Sequence, residues 1–350
     1  PSVADMPIDL RSDFVSRPTE AMIEAMVAAA KERPGFGVRD DPVVSRLERL
    51  AAEILDKEDA LFCPTCMMAN QIAIHIHCRP GEVFLTEPSA HVITSEAAAA
   101  AALSGVMPRF VASSAGNLAV AKLEREVLAG DVQRPRTAMI LTENTHVRSG
   151  GTVVALEVMQ EIHVIAARHG VPVHLDGARI FNAAVALAQP ARVLAQTADT
   201  VAFNLNKGLG APLGAILAGP RRVIAEATRI RQMFGGGWRP AAIPAGAGIV
   251  ALQQMINRLA DDHANARRLA EGLQRLDGIA VVAKAVETNI VLVDIDRDDL
   301  DAEALAAALA ERDVLALPFG PSRLRCVTHH EITARDVERT ISTFADVLVA

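Results

Sequence analysis

The sequence predicts an α/β fold: a mostly parallel seven-stranded sheet with helices on both faces, followed by a smaller C-terminal α+β domain. Between residues 60 and 218, short apolar segments alternate with amphipathic segments of helical spacing, as in βαβ units. Beyond Gly278 the pattern changes to short strands separated by isolated helices. The chain has 350 residues, of which 51% are hydrophobic, and that length favours one large core and a smaller one.

The elements of the larger domain follow an extended N-terminal arm. A helix is predicted over residues 19–30, and the next over residues 41–55, because Asp41 can cap a helix and Pro42 fits its first turn. Strands are predicted over residues 60–62, 83–85, 107–111, 138–142, 171–175, 200–203 and 215–218. Helices are predicted between them over residues 67–76, 95–103, 118–128, 156–169 and 178–187.

The smaller domain begins within a long helical stretch that follows Pro244. Its strands are predicted over residues 280–282, 289–293 and 323–327, and its helices over residues 301–311 and 333–347. We therefore expect an arm of residues 1–18, a large domain of residues 19–249 and a small domain of residues 250–350.

Composition excludes several classes of partner. The formal net charge is −7 and no basic block occurs, which argues against nucleic acid. No run of about 18 apolar residues lacks charges, so no membrane-spanning helix is expected. The first residues lack the basic and then apolar segments of a secretory signal, so we expect a cytoplasmic protein.

Two of the four cysteines form a C-x-x-C motif, Cys63 and Cys66. A redox pair would need a thioredoxin-like unit around it. A zinc site could recruit His75, His77 or Cys78, although a second C-x-x-C at finger-like spacing is absent from the sequence. The burial preference of cysteine favours two reduced, partly buried thiols instead, and no metal is expected.

Asp176 ends an apolar strand in the segment VHLDGAR, residues 173–179. Ligands of parallel sheets bind beyond the carboxyl ends of the strands, so this acid is placed where a ligand would meet it. A carboxylate there needs a cationic partner or hydrogen bonds. The protonated ring nitrogen of pyridoxal 5′-phosphate (PLP) would be such a partner. A structural aspartate that caps the following helix is the alternative.

Lys207 lies in a segment rich in small residues that follows another strand, NLNKGLGAP over residues 204–212. The glycines let the backbone approach a ligand closely, but they follow the lysine, so this is no phosphate-binding P-loop. A lysine that forms a Schiff base must lose its proton, which burial and nearby cations favour. The alternative is a solvated lysine on a glycine-rich loop.

Two further features are consistent with a phosphorylated ring-shaped cofactor. Residues 62–70 form a strand, a turn and a helix, and the N–H groups at the start of that helix could hold a phosphate. His91 lies between a strand and a helix, where its ring could stack on a cofactor.

In their order and spacing, several segments together resemble the low-specificity L-threonine aldolase family, a group of PLP-dependent beta-eliminating lyases with the aspartate-aminotransferase-like fold type I. The resemblance covers nearly the whole chain. The segments are residues 8–13, 40–42, 69–71, 143–146, 150–152, 174–184, 207–212, 234–239 and 327–329.

The resemblance implies a role for each matching position around the cofactor. Lys207 would carry PLP as a Schiff base, Asp176 would pair with its ring nitrogen, and His91 would stack on its ring. Thr65, Cys66 and Met67 occupy the phosphate turn.

It also implies substrate contacts and a neighbouring subunit. Ser12, Arg179 and Arg325 would surround the substrate carboxylate, with Arg179 also near the phenolic oxygen of the cofactor. His146 would lie near the β-hydroxyl, and His91, His146 or a water held by them would be the base. Arg239 would reach the phosphate of a neighbouring subunit, which implies a homodimer or homotetramer with active sites at the dimer interface.

Three segments depart from the family pattern. The phosphate turn of the family reads Ser-Gly-Thr, whereas Thr65, Cys66 and Met67 stand here. Val38-Arg39 replaces a Tyr-Gly pair, and Arg39 is a candidate phosphate ligand. Asn206 replaces a serine before the cofactor lysine.

The resemblance implies an aldehyde-lyase that cleaves the Cα–Cβ bond of L-threonine, L-allo-threonine and related β-hydroxy-α-amino acids such as phenylserine. The products would be glycine and an aldehyde. Alternatives are another PLP reaction on the same fold (β-elimination, racemisation or transaldolase-like transfer), a PLP-binding protein without activity, and the zinc or redox protein built on the C-x-x-C motif.

Overall fold

The computed structural model describes residues 6–349, so the first five residues of the predicted arm lie outside the described part. The strands are β1 Ile8–Asp9, β2 Asp59–Cys63, β3 Val83–Thr86, β4 Met107–Phe110, β5 Ser113–Ser114, β6 Asn117–Leu118, β7 Thr137–Glu143, β8 Val173–Asp176, β9 Thr200–Asn204, β10 Ala215–Gly219, β11 Ile279–Ala280, β12 Ile290–Ile295, β13 Val314–Leu315, β14 Leu317–Pro318 and β15 Arg323–Val327. The helices are α1 Glu20–Lys31, α2 Pro42–Leu55, α3 Cys66–His77, α4 His91–Thr94, α5 Ala99–Ser104, α6 Val120–Glu126, α7 Leu156–His169, α8 Ile180–Ala186, α9 Ala191–Ala195, α10 Arg221–Met233, α11 Ala242–Val250, α12 Leu259–Leu273, α13 Ala302–Ala310 and α14 Ala334–Val349.

The large sheet confirms the predicted fold class. It has seven strands in the order β2-β10-β9-β8-β7-β3-β4. Strand β10 is antiparallel to both of its neighbours, whereas the other pairings of this sheet are parallel. The carboxyl ends of β3, β7, β8 and β9 therefore meet at one edge.

Helices cover both faces of this sheet because side chains alternate along each strand. On β2, Leu61 and Cys63 join an apolar cluster that includes residues of α3 and α10. Ala60 and Phe62 join the main cluster, to which α2 contributes Leu47. A strand that is buried on both faces has a continuous run of apolar residues, and such runs are the segments from which the sequence predicts these strands.

The small domain is built on an antiparallel sheet of four strands, β11-β12-β15-β14. Its core also takes in Ile8 and Leu10 of the N-terminal arm, and β1 pairs in parallel with β13. Helix α12 contributes Leu259 to the large core and Leu269 to the small one. The two cores are thus linked by one helix, and the boundary at residue 250 stays a prediction.

The predicted helix over residues 95–103 is wrong in its first turn. The chain forms the short helix α4 before it, and Ala97 and Ala98 adopt left-handed backbone angles with φ of 51° and 56°. Between these segments the side chain of Glu96 is fully buried and bonded to Asn70 and Gln71. A tertiary contact therefore overrides the helical preference of the alanine-rich segment.

Charged side chains cover the free edge of the large sheet at β2. Glu48 accepts from the backbone N–H of Phe62 at 2.8 Å, and Arg231 donates to the carbonyl of Phe62. Arg39 donates to Glu48, to Asp59 and to the backbone of β2. These bonds satisfy backbone groups that an edge strand leaves open.

Among residues 6–349, no helix combines the length and the apolar character that crossing a bilayer requires.

Replacing Glu48 by leucine tests the contribution of this edge. The variant leaves Arg39 with one fewer carboxylate and the Phe62 N–H without its acceptor, so the free energy of unfolding should fall by roughly 3 kcal/mol. Urea denaturation followed by circular dichroism measures the change in midpoint. The exposed pair of Glu32 and Arg46 provides the control, since Glu32→Gln should leave the midpoint unchanged. Equal effects of the two variants would contradict the stabilising role of the edge network.

Candidate active site

A cavity of about 110 Å³ lies where the carboxyl ends of the parallel strands meet. Both domains and the N-terminal arm contribute to its lining, which consists of Ser12, Phe14, His91, Glu143, Thr145, Val147, Asp176, Ala178, Arg179, Lys207 and Arg325. The residues of this lining that the sequence predicts for the site are Ser12, His91, Asp176, Arg179, Lys207 and Arg325. Chain segments far apart in sequence therefore meet at the edge of the sheet where α/β proteins bind ligands.

Lys207 lies on the turn after β9. The turn is closely packed, because a Cβ at Gly208 would come within 2.8 Å of the Leu259 side chain. Gly210 has a φ of +73°, a conformation that favours glycine. Burial lowers the pKa of the Lys207 amine, and the positive charge of Arg179 lowers it further. These effects favour the neutral amine, which is the nucleophilic form.

Asp176 ends β8 with its side chain buried. One carboxylate oxygen accepts from the Asn70 amide at 2.9 Å, and the other accepts from the Ala178 backbone N–H at 3.1 Å. The bond to Ala178 holds the turn that follows the strand, but Asp176 does not cap the next helix, because Arg179 is the N-cap residue of α8 and that helix has no side-chain cap bond. Each oxygen of a carboxylate can accept more than one bond, so capacity remains toward the cavity.

His91 is held at two points. Its backbone N–H donates to Glu143 at 2.7 Å, and its ring Nδ1 lies 2.9 Å from Glu96. Burial acts against the charged ring, but the hydrogen bond to Glu96 and the charge of Asp176 outweigh it, so the pKa of His91 is raised. With Nδ1 engaged by a carboxylate, Nε2 is the nitrogen left for proton exchange.

Arg179 is tied to a carboxylate of the N-terminal arm. Its Nε and Nη2 both donate to the fully buried Asp13 at 2.7 Å, a bidentate pair. Asp13 also accepts from Asn289 at 3.2 Å. Burial opposes ionisation of Asp13, but the Arg179 charge and hydrogen bond dominate and hold the pKa of Asp13 well below its usual range. Two donors of Arg179 are therefore already used within the protein.

Arg325 is less engaged than Arg179, although it is buried. Its Nη2 donates to the carbonyl of Arg11 at 3.0 Å, and its buried Nε has no hydrogen-bond partner among the described residues. The guanidinium carbon lies 5.1 Å from the centre of the Phe319 ring, and the guanidinium of Arg148 lies 4.8 Å from the same ring. Burial and the neighbouring Arg179 lower the pKa of Arg325 to about 10. A buried guanidinium with an unused donor is ready to bind an anion.

Other predicted site residues lie outside this lining. His146 is fully buried, with Nε2 2.7 Å from Glu87 and Nδ1 2.8 Å from Ser149. Burial acts against its charged form, but the hydrogen bond to Glu87 prevails and raises the pKa of His146. Arg239 is exposed and donates to the carbonyl of Phe36 at 3.0 Å.

The predicted phosphate turn forms the start of α3. The hydroxyl of Thr65 accepts from the Met68 N–H at 3.1 Å and so caps the helix, while its own hydrogen remains free to donate. Cys66 is the first residue of the helix and needs no left-handed conformation, which explains why a glycine is dispensable there. Met67 is 40% exposed. The hypothesis that Arg39 binds a phosphate is wrong for this chain, because the pairs with Glu48 and Asp59 engage its guanidinium.

The four cysteines are free and buried. Cys63 and Cys66 both pack in the apolar cluster between β2, α3 and α10. Burial raises the pKa of the Cys63 thiol to about 12, and it also raises the pKa of Cys66. The burial of both thiols favours the interpretation of the motif as reduced core cysteines over a redox pair or a zinc site.

Sequence reasoning misses four residues that shape the cavity: Asp13, Glu96, Glu143 and Phe319. Asp13 and Glu143 belong to segments that carry the family resemblance, so a search of those segments for buried acids could have found them. Glu96 is an acid at the edge of an alanine tract, which is a weak signal. Phe319 follows a short strand and has no signal in the sequence, since only the fold brings it to Arg325.

Comparisons with known proteins place the chain in a family. The family model for beta-eliminating lyases matches residues 9–298. The chain is 40% identical over 348 residues to low-specificity L-threonine aldolase 1 of Arabidopsis thaliana, covering 98% of this chain and 96% of that protein. It is 38% identical over 329 residues to the low specificity L-threonine aldolase of Escherichia coli K12, covering 93% and 95%.

The threonine aldolase of Leishmania major has the same fold. Its structure superposes with a TM-score of 0.83 at 20% identity, over 98% of this chain and 100% of that one. The predicted aspartate-aminotransferase-like fold type I is thereby confirmed. The sequence identity extends over nearly the full length, and on that ground this chain belongs to the low-specificity L-threonine aldolases of the beta-eliminating lyase family and is a PLP-dependent enzyme.

Proposed function

We propose that the enzyme cleaves L-threonine, L-allo-threonine and related β-hydroxy-α-amino acids such as phenylserine into glycine and an aldehyde. The observation that carries the proposal is one cavity that gathers Lys207, Asp176, His91 and Arg325. Relatives that share 38–40% of their residues with this chain over most of its length are named low-specificity L-threonine aldolases, which supports the same substrate class.

The residues of the cavity fit PLP. Lys207 offers an amine whose neutral form is favoured, as bonding to an aldehyde requires. Asp176 offers a buried carboxylate to a protonated ring nitrogen. Outside the lining, the Thr65 hydroxyl and the first N–H groups of the 12-residue helix α3 suit a phosphate. Cys66 and Met67 would contribute their backbone there, because neither side chain is a good donor to phosphate.

PLP, when bound, supplies an electron sink that stabilises negative charge at the Cα of the substrate. The protein has to bind the substrate in one orientation. We assign the substrate carboxylate to Arg325, whose buried Nε has no partner within the described part of the chain, and to Ser12, which lines the same cavity. Arg179 supports this end electrostatically, since Asp13 already takes two of its donors. A fixed carboxylate limits rotation about Cα and so selects which of its bonds is cleaved.

His91 is the residue that we assign as proton acceptor for the β-hydroxyl. It lines the cavity, and its Nε2 is the ring nitrogen that Glu96 leaves free. His146 has both ring nitrogens occupied by Glu87 and Ser149, and it is fully buried. We therefore propose that His146 supports the segment around Thr145 and acts on the substrate only indirectly.

The subunit arrangement and the location are further proposals. Arg239 is exposed and donates to the carbonyl of Phe36, and it is not among the residues that line the cavity of its own chain. This position fits a contact with the active site of a neighbouring subunit. We propose a homodimer or homotetramer on this ground, and the sedimentation mass of the holoenzyme, compared with 37.1 kDa for one chain, checks it. A cytoplasmic location and a domain boundary at residue 250 stay predictions.

A substrate panel tests the activity. Aldehyde and glycine should be released from threonine, allo-threonine and phenylserine, whereas serine should release no pyruvate.

Lys207→Ala should abolish both turnover and the visible absorbance of the bound cofactor, because no amine remains to bond the aldehyde. Arg325→Ala should raise KM for the amino acid about 100-fold and leave PLP affinity nearly unchanged.

The contrary outcomes separate the alternatives. Pyruvate from serine, or inversion of an amino acid without aldehyde release, would show another PLP reaction on this fold. Turnover by Lys207→Ala would remove the central assignment.

The pH dependence of kcat/KM tests the pairing of His91 with Glu96. A base acts in its neutral form, so activity rises as the pH passes upward through the pKa of His91. Glu96 raises that pKa, and Glu96→Gln should therefore move the acidic limb of the profile to lower pH. Glu303→Gln, at an exposed position of the small domain, is the matched control. An acidic limb that stays in place, or moves to higher pH, would mean that a different group titrates.

A further inference from the structure

A buried hydrogen-bond chain leads from the cavity along β8 to the opposite end of the large sheet. The amide nitrogen of Asn70 lies 2.9 Å from Asp176, and its amide oxygen lies 3.1 Å from Nε2 of His174. Nδ1 of His174 lies 2.9 Å from the Thr200 hydroxyl, and that hydroxyl lies 3.0 Å from Nε2 of His77. His77 lines a separate cavity of about 510 Å³ at the amino ends of β8 and β9.

Asn70 also connects two carboxylates. The same amide nitrogen lies 2.9 Å from Asp176 and 2.9 Å from Glu96, and Glu96 in turn holds the ring of His91. Asn70 is 1% exposed and Glu96 is fully buried, so water does not replace these bonds. One amide group therefore joins the acid proposed to face the cofactor nitrogen with the acid that orients the proposed base.

The hydrogen-bond chain has only one possible arrangement of donors and acceptors when both carboxylates are ionised. Ionised carboxylates only accept, so the two N–H bonds of Asn70 must point to Asp176 and Glu96. The Asn70 oxygen then accepts from Nε2–H of His174, and Nδ1 of a neutral His174 must accept from the Thr200 hydroxyl. That hydroxyl has one hydrogen, so it accepts from Nε2–H of His77.

Burial supports the neutral rings that this polarity requires. Removal from water lowers the pKa of His174 to about 3, and the nearby His77 acts in the same direction. Burial likewise lowers the pKa of His77 to about 4. Both rings therefore stay uncharged near neutral pH, and His174 can donate to Asn70 from Nε2 only.

We propose that Asn70 is a positioning residue of the reaction: its amide, held from behind by His174, fixes Asp176 and Glu96 together and so aligns the cofactor-binding acid with His91. The proposal rests on the roles assigned above to Asp176 and His91. In this polarity the Asn70 amide donates to both carboxylates. The remaining acceptor capacity of Asp176 is thus directed to the cavity, and Glu96 is held where it contacts the ring of His91.

Substitution of Asn70 and of its neighbour Gln71 separates positioning from packing. Gln71 is 1% exposed and donates to Glu96 at 2.7 Å, but the side-chain hydrogen bonds of Asp176 come from Asn70 and Ala178 and not from Gln71, so Gln71→Leu is the matched control. In the holoenzyme, Asn70→Ala should lower kcat about 10- to 100-fold, because charge-assisted bonds to two carboxylates are lost. KM should change less than about threefold, since Arg325 is untouched. Gln71→Leu should lower kcat less than about fivefold.

A second readout is the visible absorbance of the bound cofactor. It should change in Asn70→Ala and match the wild-type spectrum in Gln71→Leu, because only the first variant alters Asp176. Equal losses of kcat and unchanged spectra in the two variants would overturn the proposal. Release of aldehyde and glycine by the wild-type enzyme, measured beside them, shows separately whether the proposed function holds.

The imidazole ring of His174 provides a test that needs no change at Asn70. His174→Gln can still donate to the Asn70 oxygen and should keep kcat within about threefold, whereas His174→Leu cannot and should lose about tenfold. Neutron diffraction from crystals of the deuterated wild-type holoenzyme should show deuterium on Nε2 of His174 and none on Nδ1. Deuterium on Nδ1, or equal kcat for the two variants, would contradict the assigned polarity.

Discussion

The active site depends on charged groups that are held out of water beside one another at the carboxyl edge of the large sheet. Arg179 and Arg325 supply positive charge, Asp13 pairs with Arg179, and the Lys207 amine and the carboxyl groups of Asp176 and Glu143 line the same cavity. Each would be costly to bury alone, so the attraction between them and their hydrogen bonds keep the cluster stable. Burial lowers the pKa of Lys207 and the charge of Arg179 lowers it further, whereas for Asp13 burial acts upward and the charge and hydrogen bond of Arg179 outweigh it, so that its pKa is lowered.

Residues of one chemical type differ at this site through their partners. Two donors of Arg179 are taken by Asp13, whereas Nε of Arg325 has no partner among residues 6–349. His146 is enclosed by Glu87 and Ser149, while His91 has one ring nitrogen on Glu96 and the other free. Position in the sequence motif does not distinguish these cases. The hydrogen-bond partners do, and they decide which arginine binds an anion and which histidine exchanges a proton.

The site forms where both cores and the N-terminal arm come together. The arm contributes Ser12 and packs Ile8 and Leu10 into the small core, so its position is set by apolar burial. Arg325 comes from the small sheet and Lys207 from a turn of the large sheet. Because helix α12 contributes to both cores, the relative placement of these two side chains rests on packing that extends well beyond the cavity.

The sequence by itself determined the seven strands of the large sheet, the alternation of strands with helices, and six residues of the cavity lining. Those features follow from local periodicity and from segments whose order is specific to a family. The tertiary structure alone decided that β10 runs antiparallel, that Glu96 breaks the predicted helix, and that Asn70 joins two buried carboxylates. Burial and hydrogen bonding between distant segments are settled only when the chain is packed, because a buried polar group must take its partner from whatever segment lies beside it.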